Sequence, residues 1–212
     1  MKNPYIPIRE KIEWLRIWVP DSDQAELERP RVLLIGDSIT NGYGPKVAEI
    51  VGDQASIAWA CTSRFPADPA FLDELSLPLR HTDFDIIHFN NGLHGFGYSE
   101  EEYREHLTKA VAHLRELTPH ASWALATSTP IRTKGDLSTL RETNPRVVAR
   151  NGILRDLAQE EGLPVSDLYS LMADRSDLYS EDATHFGEEG QKLQASCVIK
   201  TLNPLLAHTA ST

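Results

Sequence analysis

The residues whose types and spacing could do chemistry in this chain are Ser38, Asp182 and His185. A serine hydroxyl is a poor nucleophile until a neighbouring base takes its proton, and a neutral histidine suits that task near pH 7. The histidine must in turn be held in one tautomer and its developing charge offset, which a carboxylate does. In Asp182-Ala183-Thr184-His185 the two groups are three residues apart, so one turn of loop can present both. Acyl transfer also needs donors for the oxygen that becomes negative in the tetrahedral intermediate. The Ser38 backbone N–H supplies one, and the Asn90 side-chain amide is a candidate for another, with Asn91 as its rival. Each residue alone has a blander reading, since Gly36-Asp37-Ser38 and an asparagine before Gly92 are ordinary turn chemistry. His88 reads as structural, and His81, His106, His113, His120 and His208 as surface residues.

Those residues need elements that bring them together. Val32 to Ile35 form a short unbroken apolar run, which reads as a strand covered on both faces. The run stops at Gly36-Asp37-Ser38, and helical spacing resumes from about Pro45 through Val47, Ile50 and Val51. Ser38 therefore sits between the carboxyl end of a strand and the amino end of a helix, where unpaired N–H groups favour negative charge. Further strands are expected over 55–60, 85–90, 121–127 and 163–168, and helices over about 70–79, 145–161 and 188–206. Ser99 and Glu102 form a capping box that opens another helix, with Tyr103, Leu107, Ala110, Val111 and Leu114 at amphipathic spacing and an end before Pro119. A loop containing Lys134, Gly135 and Asp136 separates the last two helical stretches from what precedes them. Strand and helix alternate throughout, so a parallel sheet between two helix layers, with right-handed crossovers, is expected. Ligand sites of such sheets lie outside the carboxyl ends of the strands. The loops holding Asp37-Ser38, Asn90-Asn91 and Asp182 to His185 should then meet at one edge.

Residues 1–30 read as an amino-terminal arm packed on a domain formed by 31–212, with Trp14, Leu15 and Trp18 at i, i+1 and i+4. Packing against the domain edge is the plainer role for the two tryptophans. At 212 residues the chain can bury roughly 70% of the surface its unfolded form exposes. Cys61 and Cys197 are too few for a disulfide framework and read as small buried hydrophobes. A net charge of −10 argues against nucleic acid, whose phosphates need lysine and arginine. The first residues lack the apolar core of a signal peptide, and no apolar run approaches a membrane span, so a soluble, cytoplasmic chain is expected.

Three segments, GDSIT at 36–40, NNGLHG at 90–95 and DATH at 182–185, resemble in order and spacing the first, third and fifth blocks of the SGNH (GDSL-type) hydrolases. The resemblance spans roughly residues 31–206. It implies a flavodoxin-like three-layer α/β/α fold with five parallel strands, no metal or other cofactor, and ester hydrolysis through a serine acyl-enzyme. By position it makes Ser38 the nucleophile, His185 the base, Asp182 its partner and Asn90 an oxyanion donor. Two departures stand out. The third block usually reads GxND, where this chain has His88-Phe89-Asn90-Asn91, and the second block usually contains a donating glycine, which Cys61 to Pro66 lacks. A backbone N–H of Ser63 or Arg64 is the expected substitute, or Arg64 contacts substrate instead. Short connections leave little chain for a lid or an acyl tunnel, which favours a small acyl group such as acetyl. Many family members of this size deacetylate carbohydrates, and His94, Trp14 and Trp18 are the residues expected to meet the alcohol portion. Two other classes compete: a flavodoxin-like protein holding a phosphate or flavin on Ser38-Ile39-Thr40-Asn41-Gly42, and an inactive carbohydrate-binding relative. The flavin reading leaves Asp182 and His185 without a purpose, and the chain has neither a GK[ST] P-loop nor a GxGxxG pattern.

Overall fold

The structure, a computed structural model, describes residues 9–24 and 26–209. In chain order the elements are β1 (Leu15–Trp18), β2 (Arg31–Gly36), α1 (Ser38–Val51), β3 (Ser56–Thr62), α2 (Pro69–Leu79), β4 (Ile86–Asn90), α3 (Glu100–Leu117) and β5 (Ser122–Ala126). There follow β6 (Arg132–Thr133), β7 (Asp136–Leu140), α4 (Asn144–Glu160), β8 (Val165–Ser166), α5 (Leu168–Met172) and α6 (Glu188–Thr209).

Six strands form one sheet in the order β1-β3-β2-β4-β5-β8, and the five from β3 to β8 are parallel. The sixth, β1, comes from the amino-terminal segment and pairs antiparallel with β3, Leu15 opposite Thr62 and Trp18 opposite Trp59. The unbroken apolar run of β2 has the expected cause. Leu33 and Ile35 face one core with α2, α3 and α4, whereas Val32 and Leu34 face a second core with α1 and α6. With both faces covered there is no solvent side on which polar residues could alternate. No helix among the described residues is long and apolar enough to cross a membrane.

Three local expectations change. Helix α1 opens at Ser38 rather than near Pro45, which lies inside it. The glycines and polar residues of its first turns hide a buried stripe at Ile39, Tyr43, Val47 and Val51, spaced i, i+4, i+8 and i+12. The loop around Gly135 is a hairpin, β6 paired with β7. Most of the stretch expected as the last strand is not strand, and α5 begins at Leu168. Cys61 is buried as expected, while Cys197 is only half-buried. The capping box of α3 is present, the Ser99 side chain accepting from the Glu102 N–H and the Glu102 carboxylate accepting from the Ser99 N–H.

Candidate active site

Ser38 owes its position to the turn before it. A Cβ on Gly36 would lie 2.0 Å from Thr40 Oγ1, so only glycine lets β2 pass this close to the first turn of α1. Asp37 caps the helix, its Oδ1 accepting the Ile39 N–H at 2.9 Å. Ser38 is thus the first helical residue, half-buried, with its own N–H among those that lack an intrahelical acceptor.

The hydroxyl of Ser38 lies 2.7 Å from Nε2 of His185, across 147 residues of chain. Nδ1 of that ring is 2.6 Å from Oδ2 of Asp182. The other carboxylate oxygen of Asp182 accepts the backbone N–H groups of Thr184 at 2.9 Å and His185 at 2.8 Å, and the Ser180 hydroxyl at 3.0 Å. Partial burial pushes the Asp182 pKa up, but these donors and the His185 ring outweigh it and hold the carboxyl well below the usual range. It is therefore ionised whenever the histidine needs a counter-charge.

The turn itself is braced. Ala183 adopts a left-handed φ of 63°, uncommon for a residue with a Cβ, and is fully buried. Its N–H donates to Ser180 O at 3.0 Å and its carbonyl accepts the Arg132 N–H at 2.8 Å. Arg141 donates to Thr184 Oγ1 at 3.1 Å, so the β6–β7 hairpin supports the turn from both of its strands' ends. A bridge between Tyr179 and Phe186 closes its base.

The remaining candidates fare differently. Asn90 is the last residue of β4, buried, and one hydrogen of its amide is engaged by Ala126 O at 2.7 Å. One hydrogen of the Asn91 amide is likewise engaged, by Arg64 O at 3.4 Å. Arg64 is not available to substrate: its guanidinium is held by Glu74 at 2.6 Å, Asp68 at 2.9 Å and Glu13 at 3.0 Å. Neither substitute for the missing glycine is free, because Ser63 N–H donates to Trp14 O and Arg64 N–H to Thr62 Oγ1. His94 lies in the loop after β4, its Nδ1 3.5 Å from Glu10. Trp14 is tied into the Ser63 loop by its backbone, N–H to Ser63 Oγ at 2.9 Å. Trp18 stacks on Trp59 three residue pairs back from the carboxyl edge, so its contact is with the sheet rather than the Ser38 loop.

One positioning residue escaped the sequence reading. Arg150 of α4 is fully buried and donates to the carbonyls of Gly92 at 3.1 Å, His94 at 2.5 Å and Gly95 at 2.9 Å. Its guanidinium also packs over Phe65, Phe96 and Tyr103. The signal was present: Val147, Arg150, Leu154 and Leu157 fall at i, i+3, i+7 and i+10, which puts an arginine on the buried face of its helix.

A parallel sheet with a serine, a histidine and an aspartate joined at its carboxyl edge defines a hydrolase-like arrangement. The chain belongs to the GDSL-like lipase/acylhydrolase family, whose model matches residues 34–193. Among curated proteins none matches it. Solved structures do. An acetyl xylan esterase is similar at 18% identity and a TM-score of 0.64, over 80% of this chain and 98% of that one. A GDSL-like lipase from Bacteroides thetaiotaomicron is similar at 13% identity and a TM-score of 0.65, over 82% and 88%. The lipase/acylhydrolase from Enterococcus faecalis is similar at 18% identity and a TM-score of 0.64, over 82% and 96%. At such identities the likeness is one of fold.

Proposed function

We propose that the protein is a serine esterase that removes small acyl groups, acetyl above all, from an alcohol that is in nature a carbohydrate. The observation that carries this reading is the unbroken hydrogen-bonded chain from Ser38 through His185 to Asp182. In the proposed reaction Ser38 Oγ attacks the ester carbonyl while His185 Nε2 takes its proton. The tetrahedral intermediate collapses to an acyl-serine, and the alcohol leaves with the proton from His185. Water, deprotonated by the same imidazole, then attacks the acyl-serine and releases the acid and the free serine. Asp182 holds the ring tautomer and offsets the imidazolium. The oxyanion faces the start of α1, where the Ser38 N–H and the second Asn90 amide hydrogen are the proposed donors.

The short connections around the site favour a short acyl group, and the acetyl xylan esterase with a similar fold is consistent with a sugar ester. The test is turnover of p-nitrophenyl esters from acetate to octanoate, followed by acetylated sugars. Fastest kcat/KM on acetate, abolished in Ser38→Ala, is the expected result. Turnover that survives Ser38→Ala, or that rises steadily with acyl length, would overturn the proposal.

A further inference from the structure

The amino-terminal segment reaches the loops on either side of Ser38. Trp14 exchanges backbone contacts with Ser63, and Glu10 Oε1 accepts the Gly95 N–H at 2.8 Å. The same oxygen of Glu10 lies 3.5 Å from Nδ1 of His94, whose ring is four-fifths buried. Nε2 of that ring, by contrast, has no hydrogen-bond partner among the described residues, although it is a donor whenever the ring is charged. Three carbonyls of the loop that carries His94 are fixed by the buried Arg150, so the ring stands on a rigid mount. Meanwhile the Ser63 and Arg64 N–H groups and one hydrogen of each of the Asn90 and Asn91 amides are already engaged.

The geometry points to His94, held by Glu10, as a charged donor to the substrate oxygen that becomes negative during attack by Ser38. This rests on the esterase reading. Nδ1–H of the imidazolium donates to Glu10 and Nε2–H is left for the oxyanion, taking the part that the engaged Ser63 and Arg64 N–H groups do not play. Glu10 is the positioning residue of the pair. The groups facing the ring are Glu10 from the amino-terminal segment, Asp37 from the turn before Ser38, and Arg150 from α4. Burial and Arg150 oppose the charge on His94, yet Glu10 and Asp37 outweigh them and raise its pKa above the ordinary histidine value. The carboxyl of Glu10 is correspondingly lowered, first by its bond to His94.

A group whose folded pKa is raised is charged below that value and neutral above it. Activity needs His185 neutral and His94 charged, so kcat should fall again on the alkaline side as His94 loses its proton. His94→Ala should lower kcat on p-nitrophenyl acetate by about 10²- to 10³-fold with KM little changed. His94→Gln keeps a donor that cannot titrate; it should recover part of kcat and lack the alkaline fall. Glu10→Gln should shift that fall to lower pH, and an NMR titration of the His94 ring in Ser38→Ala protein should move the same way without any turnover being needed. An undiminished kcat in His94→Ala, an unchanged alkaline limb in His94→Gln, or a His94 titration indifferent to Glu10→Gln would each overturn the assignment. Labelling of Ser38 by a fluorophosphonate separates the two levels. Wild-type protein that does not label loses the esterase reading and His94's role with it, whereas wild type that labels beside an equally active His94→Ala loses only the latter.

Discussion

Asp182 serves three purposes with two oxygens: one meets the His185 ring, and the other collects two backbone N–H groups and the Ser180 hydroxyl. In Asp182→Asn the amide oxygen can still accept the backbone groups, so the turn should stand and the melting temperature change little. The new NH2 would face Nδ1 and force the wrong tautomer on the ring, lowering kcat on the order of 10⁴-fold. A near-normal rate would remove Asp182 from the mechanism. Ser38→Ala and His185→Ala should lose activity to a similar extent, since such groups act as a unit. That these three side chains meet was legible in the sequence, because parallel topology forces their loops to one edge whatever the distance along the chain. The surroundings of Arg64 were not, because what holds its guanidinium is three carboxylates, one of them Glu13 from the amino-terminal segment. No local pattern announces such a partner.

At the scale of elements, α1 and the β6–β7 hairpin carry the lesson. The helix start was misplaced because Asn41, Gly42 and Gly44 weaken the local preference while tertiary packing of Ile39, Tyr43 and Val47 decides the matter. The hairpin was invisible because its strands are short and mostly exposed, yet it is what braces the Ala183 turn. Helices with a periodic face and a cap, such as α3, were legible within a residue or two. Arg150 gives a prediction at this scale, as it couples α4 to the loop after β4. Arg150→Met would leave three carbonyls, buried at Gly92 and Gly95 and partly buried at His94, without their donor, at about 1–3 kcal/mol for each unsatisfied group. An unfolding free energy lowered by at least about 3 kcal/mol in urea titrations, seen as a lower midpoint, with kcat falling more than KM rises, is expected. An unchanged midpoint would mean that water replaces the guanidinium.

Across the whole molecule, two cores share one sheet, and a titratable group lies inside one of them. His88 of β4 is fully buried, edge-on to Tyr43 of α1, with Nε2 3.1 Å from Ser166 Oγ, which in turn donates to Thr201 of α6 at 2.8 Å. Burial pushes its pKa down from 6.5 to about 4. The unfolded chain therefore takes up the proton first as pH drops: stability is full above about 6.5 and declines toward about 4, by roughly 3 kcal/mol in all. Urea unfolding between pH 7 and 4.5 should show this slope, and His88→Leu should flatten it. A slope that persists would assign the titration to another group. The structural reading of His88 was available from the sequence, because a histidine inside a doubly covered strand has little else to be.

The acid–base turn closes on itself between Tyr179 and Phe186 and needs nothing from position 38 to keep its shape. A protein lacking only that hydroxyl would keep its docking surface for esters while being unable to open them. Ser38→Ala is therefore the form in which to soak or titrate uncleaved compounds, and the molecule that stays bound would name the natural substrate directly.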